Sequence, residues 1–134
     1  MPHCVILYTP NVEAKTDMTA LCRALADTML TILDEAGKQV FPTGGTRVLA
    51  YPAAHYAVAD DKDDYAFVYI NVRMGAGRSE AVKKKAGDTL LASVKWHFAP
   101  VFEQHLIGIT LQIDESPGQV YDAKHSTLHP LFNP

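Results

Sequence analysis

The stretch Asp64-Tyr65-Ala66-Phe67-Val68-Tyr69-Ile70-Asn71-Val72 reads as a strand with no water-loving side. Side chains alternate across a strand, so Ala66, Val68, Ile70 and Val72 form one row while Tyr65, Phe67 and Tyr69 form the other. Both rows need cover, which excludes a sheet with one solvated face. A second aliphatic row, Ile107, Ile109, Leu111 and Ile113, predicts a strand over Leu106 to Ile113. Whatever this chain folds into must hide a sheet from two directions.

Two stretches have helical periodicity. From Asp17 to Glu35 the apolar residues Met18, Leu21, Cys22, Leu25, Met29, Ile32 and Leu33 recur at three- and four-residue steps, with Thr16 as the expected N-cap and Gly37 as the stop. From Ser79 to about Phe98 the buried face is Val82, Ala86, Leu90 and Val94. Pro100 predicts a kink or restart, with Val101 to Gln104 as a last turn. His3-Cys4-Val5-Ile6-Leu7-Tyr8 precedes the first helix as a strand. The turn cluster Phe41-Pro42-Thr43-Gly44-Gly45 leads into a short strand, Thr46 to Tyr51, ended by Pro52.

The order is strand, helix, strand, twice over. It predicts one α/β (α+β) domain spanning 1–134, with units of about 2–58 and 64–114 and a tail over 115–134, since a chain of 134 residues is ordinary for a single core. Right-handed crossovers put both helices on one face of a four-stranded mixed sheet. The other face is left bare, so the pattern predicts an obligate oligomer in which sheet packs on sheet.

A net charge of −3 and a basic run no longer than Lys83-Lys84-Lys85 exclude nucleic acid as a partner. No apolar run approaches the ~18 residues of a membrane span, and the start lacks the pattern of a signal peptide, so the expected location is the cytoplasm. Cys4 and Cys22 suit reduced, buried thiols better than a disulfide framework.

The usual catalytic signatures are missing. Gly75-Ala76-Gly77-Arg78-Ser79-Glu80 joins a strand to a helix but has neither the third glycine of a dinucleotide loop nor the lysine of a phosphate loop. His125 and His129 are spaced i, i+4 without the carboxylate of a zinc protease, so no metal is expected and they read as a surface pair. His97 and His105 read as packing or capping residues, and Ser79 as an N-cap. Asp60-Asp61-Lys62-Asp63-Asp64 lacks the glycine and terminal glutamate of a calcium loop and reads as a solvated linker.

Three basic groups at element edges remain: Pro2, Arg47 and Arg78. Proline is a poor strand partner, and at the first position of a strand it is merely harmless. If the initiator methionine is removed, however, the Pro2 ring nitrogen is a free secondary amine. Either arginine alone reads as solvated surface charge. Together the three suit removal of a proton from an anionic substrate: guanidiniums hold carboxylates through paired N–H bonds, and their charge disfavours protonation of a neighbouring amine.

Pro2, Phe41-Pro42 with Gly45-Thr46-Arg47, and Asp64-Tyr65-Ala66-Phe67-Val68 followed by Gly75-Ala76-Gly77-Arg78-Ser79 closely resemble the 5-carboxymethyl-2-hydroxymuconate isomerase family of the tautomerase superfamily. The resemblance runs nearly end to end, through Leu131-Phe132, and the GAGRS stretch is also similar to the strand-turn-helix entry of 4-oxalocrotonate tautomerase. It implies a homotrimer and a cofactor-free 1,3 proton shift turning a dienol into a conjugated ketone. It also implies Pro2 as general base, Arg47 and Arg78 as substrate-binding residues, and a share in catalysis for Arg47. Two other functions fit the same residues: hydration of a halogenated acrylate, and a non-catalytic trimeric module that binds carboxylates.

Overall fold

The structure, a computed structural model, describes residues 3–132. Strand β1 (His3–Tyr8) leads through a short 3-10 turn (Pro10–Ala14) to α1 (Met18–Thr31), and a second 3-10 turn (Thr43–Gly45) precedes β2 (Val48–Pro52). The second half runs β3 (Tyr65–Gly75), α2 (Glu80–Gln104) and β4 (Leu106–Ser116), and a final turn of helix, α3 (His129–Phe132), closes the described chain. The four strands form one mixed sheet in the order β2-β1-β3-β4. β1 is parallel to β2 and β3 to β4, while the central β1–β3 pair is antiparallel. Two β-α-β units therefore lie side by side in opposite senses, as the repeated order predicted.

Both long helices cover the same face. The row Cys4, Ile6, Tyr8 of β1 and the row Ala66, Val68, Ile70, Val72 of β3 are buried against Leu21, Leu25 and Met29 of α1 and Val82, Ala86, Leu90, Val94 and Phe98 of α2. Thr28 donates to Ser93 at 3.2 Å where the two helices touch. The isoleucines and Leu111 of β4 pack at the margin of this core. On the opposite face the register aligns Leu7 with Tyr51 and Tyr69, and Val5 with Leu49. There Leu7 is 48%, Leu49 44% and Phe67 37% exposed.

Four local expectations need correction. Helix α1 is capped by Asp17, not Thr16: the Asp17 carboxylate accepts the Ala20 N–H at 3.1 Å, while the Thr16 hydroxyl meets His97 Nε2 at 2.9 Å. A carboxylate there also faces the positive helix end. Nor does α1 run to Glu35. It stops at Thr31 because residues 32–40 fold back on themselves, with Leu33 bridged to Gln39 and the Val40 N–H bonded to the Ile32 carbonyl at 3.0 Å. Gly37 (φ 79°) is the left-handed residue of that hairpin, not a helix stop. Ile32 keeps the helical spacing but is buried from an extended backbone.

The third correction concerns Pro100. Helix α2 continues through it to Gln104 with no restart, and Val101 to Gln104 do form its last turn as expected. Proline has no N–H for the carbonyl four residues back, here that of Trp96. Trp96 and Pro100 both lie on the exposed side of the helix, where an unpaired carbonyl costs least. Finally, β2 starts at Val48, two residues later than expected, and β3 and β4 run on to Gly75 and Ser116. As expected, Ser79 caps α2 by accepting the Val82 N–H at 3.2 Å, and His105 closes it with a backbone bond to Val101. His97 packs edge-on against Phe98, and 60–64 is an exposed loop.

Candidate active site

The start of β1 is the reference point. His3 pairs with Arg73 near the end of β3, and the Cys4 N–H donates to the Arg47 carbonyl at 2.9 Å, just ahead of β2. Since β1 and β2 are parallel and β3 is antiparallel to both, this end of the sheet collects the beginning of β1, residue 47 and the turn that follows β3. That turn, 75–79, reverses through Gly77 at φ 101° and delivers Arg78 one residue before the N-cap of α2. Pro2 lies outside the described residues.

Arg47 is half-buried and borders a groove of about 540 Å3 between α1 and the β2 edge. Thr19, Cys22, Arg23, Thr46 and Phe132 also line it, so the last turn of the described chain returns to this end of the sheet. Arg23 spends its guanidinium on Asp27 at 2.8 Å, one helical turn along. Arg78 is not among the groove's lining residues. It turns toward the 32–40 hairpin, donating from Nη2 to the Val40 carbonyl at 3.2 Å and placing Nη1 3.6 Å from Asp34 Oδ2. Only the Val40 contact is within hydrogen-bond distance, and Asp34 acts on the guanidinium as an ion pair, so among the described residues one of the five N–H groups is hydrogen-bonded.

The hairpin's grip escaped the sequence reading. Its carboxylates are adjacent: Asp34 faces Arg78, and Glu35 accepts the Ser79 hydroxyl proton at 2.7 Å. Asp34 is held below the usual carboxylate range by the Lys38 N–H above all, then by the Ala36 N–H and the Arg78 charge. The bond from Ser79 does the same for Glu35. A signal was present in Asp34-Glu35-Ala36-Gly37, an acidic turn residue followed by glycine, but the helical spacing of Ile32 and Leu33 concealed it.

Burial works against thiolate formation at both cysteines. Burial pushes Cys4 up to about 12, with the nearby Cys22 adding to the shift, and raises Cys22 as well. Both cysteines are free. Among the described residues no three His, Cys, Asp or Glu side chains gather where a metal ion would sit, and no helix is long and apolar enough to cross a membrane. At the far end of β1, Tyr8 donates to Glu13 inside the first 3-10 turn. Burial chiefly, with that carboxylate, pushes the phenol up to about 12.

Paired β-α-β units in one four-stranded mixed sheet, with both long helices on the same face, make a tautomerase-like α/β fold. The sequence profile of 5-carboxymethyl-2-hydroxymuconate isomerase matches residues 2–132. The chain belongs to the 5-carboxymethyl-2-hydroxymuconate isomerase family, and it is an isomerase. It is 29% identical over 132 residues to the 5-carboxymethyl-2-hydroxymuconate Delta-isomerase of Escherichia coli, covering 98% of this chain and 99% of that one. A crystal structure of a 5-carboxymethyl-2-hydroxymuconate delta-isomerase superposes with a TM-score of 0.93 at 53% identity, over 98% of this chain and 93% of the other. The corresponding isomerase of Deinococcus radiodurans R1 gives 0.82 at 34%, with the same coverage. The fold alone is shared with a fused 4-OT described as an asymmetric trimer, at 17% identity and a TM-score of 0.60, over 96% of this chain and 98% of that one.

Proposed function

We propose that this isomerase converts 5-carboxymethyl-2-hydroxymuconate, or a similar unsaturated hydroxy di- or tricarboxylate, from dienol to conjugated ketone by moving a proton from the 2-hydroxyl to the far carbon of the diene. The Pro2 nitrogen, freed by removal of Met1, is the base in this reading. It takes the hydroxyl proton of the dienol and returns a proton to carbon. Arg78 binds a substrate carboxylate, and Arg47 both binds and stabilises the negative charge that develops at the 2-keto-acid end. The single observation that carries the reading is the register at one end of the sheet, where the Cys4 N–H bonds the Arg47 carbonyl and β3 ends beside His3 at the turn bearing Arg78.

The chemistry suits an amine at that place. An α-amine has an ordinary pKa of about 7.7 to 8.0, and withdrawal from water beside positive charge lowers it, so that the free base is abundant near neutral pH. The chain works without a cofactor in this reading, as one domain over 1–134, in the cytoplasm. Its units of about 2–58 and 64–114 repeat one motif, with a tail over 115–134. The uncovered sheet face, apolar at Leu7, Leu49, Tyr51 and Phe67, supports assembly as a homotrimer, three copies turning these faces inward.

The test is ultraviolet assay of the dienol with wild type and Pro2→Ala, removal of Met1 being checked by intact mass in both. A primary amine is more flexible and more often protonated, so the rate is expected to fall on the order of 10²-fold or more. Undiminished turnover at neutral pH removes Pro2 as the base. A wild type that turns over a haloacrylate but no dienol, or neither, replaces the reading with hydration or with carboxylate binding.

A further inference from the structure

We propose that Asp34, at the mouth of the hairpin after α1, is a positioning residue that sets the direction of the Arg78 guanidinium and so the enzyme's affinity for its substrate. The inference rests on the reading of Arg78 as a substrate-binding residue. It extends the site to a segment that makes no contact with substrate itself.

The two oxygens of Asp34 have separate tasks. Oδ1 accepts the N–H groups of Ala36 at 2.9 Å and Lys38 at 3.0 Å, which builds the turn. Oδ2 stands 3.6 Å from Arg78 Nη1. The backbone around it is fixed by bonds from the Asp34 N–H to the Lys38 carbonyl at 2.8 Å and from the Gly37 N–H to the Asp34 carbonyl at 3.0 Å. The same hairpin meets Arg78 a second time through the Val40 carbonyl. An arginine on a glycine-rich turn has many rotamers, and a carboxylate on one nitrogen with a carbonyl on the other selects among them before substrate arrives. The pair is only partly screened, since the Arg78 side chain is 31% and the Asp34 side chain 17% exposed. Glu35 fixes the neighbouring residue through the Ser79 hydroxyl, so backbone and side chain at 78–79 are held by one element.

This division suggests a clean substitution. In Asp34→Asn the carbonyl oxygen still accepts the two turn N–H groups, while an NH2 replaces the oxygen that faces Arg78, so the hairpin survives and the attraction is lost. Steady-state kinetics are measured with 5-carboxymethyl-2-hydroxymuconate on wild type, Asp34→Asn, Arg78→Ala and the double variant, with thermal melting of each as a control for folding. The expected result is a KM raised roughly three- to tenfold in Asp34→Asn with kcat nearly unchanged, and no further rise when the substitution is added to Arg78→Ala. A merely structural role predicts the opposite: an additive loss in the double variant, tracking a lower melting temperature. Additivity, an unchanged KM or a lowered KM in Asp34→Asn, alongside a raised KM in Arg78→Ala, overturns the positioning role and leaves Arg78 as a ligand. Wild-type kinetics in Arg78→Ala overturn both.

Discussion

The two β-α-β units share an order of elements and differ in how they spend their residues. The second is long and regular: β3 and β4 pair over eleven residues each, and α2 runs for 25. The first has strands of six and five residues and a helix of 14, and gives the chain between α1 and β2 to a hairpin and a 3-10 turn. The long unit supplies a regular platform and the turn that bears Arg78. The short one supplies Arg47 and the hairpin that takes hold of the other unit's arginine. Regularity makes the frame, and the irregular segment of one unit adjusts a residue of the other. Active-site geometry commonly arises in this way, because loops carry polar groups that regular elements must bury or pair.

The sharpest way to break the comparison is to remove the arginine of each unit in turn. A charge-assisted contact with a substrate carboxylate is worth about 1.5 to 3 kcal/mol, so Arg47→Ala and Arg78→Ala should each lower kcat/KM roughly ten- to a hundredfold. Arg47→Ala is expected to act mainly on kcat and Arg78→Ala mainly on KM, which steady-state kinetics separates. Matching wild-type values in both variants would show that neither unit contributes an arginine to the site.

A smaller effect tests whether the two units contribute alike to the bare face. Leu7 of the first unit and Phe67 of the second lie on that side of adjacent strands. A carboxylate there must be desolvated when another copy covers it. Leu7→Asp and Phe67→Asp should both shift the protein from three chains toward one in sedimentation at micromolar concentration. If only one does so, a single unit forms the interface.

The smallest effect lies where the units touch. His97 of α2 meets Thr16, just before α1, and burial lowers its pKa, Asp17 opposing weakly. A base with a depressed native pKa favours the folded state fully above its ordinary value near 6.5, and that stability is lost as the pH falls through the native value. In urea unfolding, wild type should therefore weaken between neutral pH and about pH 5, and His97→Gln should flatten this part of the profile. An unchanged slope in the variant assigns the pH dependence to other groups.

Much of this molecule follows from local pattern. Alternation in Tyr65 to Val72 and the three- and four-residue steps of both helices are one-dimensional signals of burial, and the two apolar rows already required cover from two sides. Ser79 announced the start of α2 for the same reason, since a cap acts within its own turn. The end of α1 was not legible, because Ile32 and Leu33 continue the helical spacing while their backbone answers to Val40 and Gln39. Nor was the competition for Thr16, whose partner His97 is distant in sequence. The residue types at the candidate site, Arg47 and Arg78, were visible as unexplained charges. Their surroundings were not: that Arg47 borders a groove with Phe132, and that Arg78 faces Asp34 and Val40, depends on contacts between segments far apart in the chain. Periodicity records which side of an element is buried. It carries no information about which distant carboxylate a guanidinium meets, because that choice is made by the packing of the elements around it.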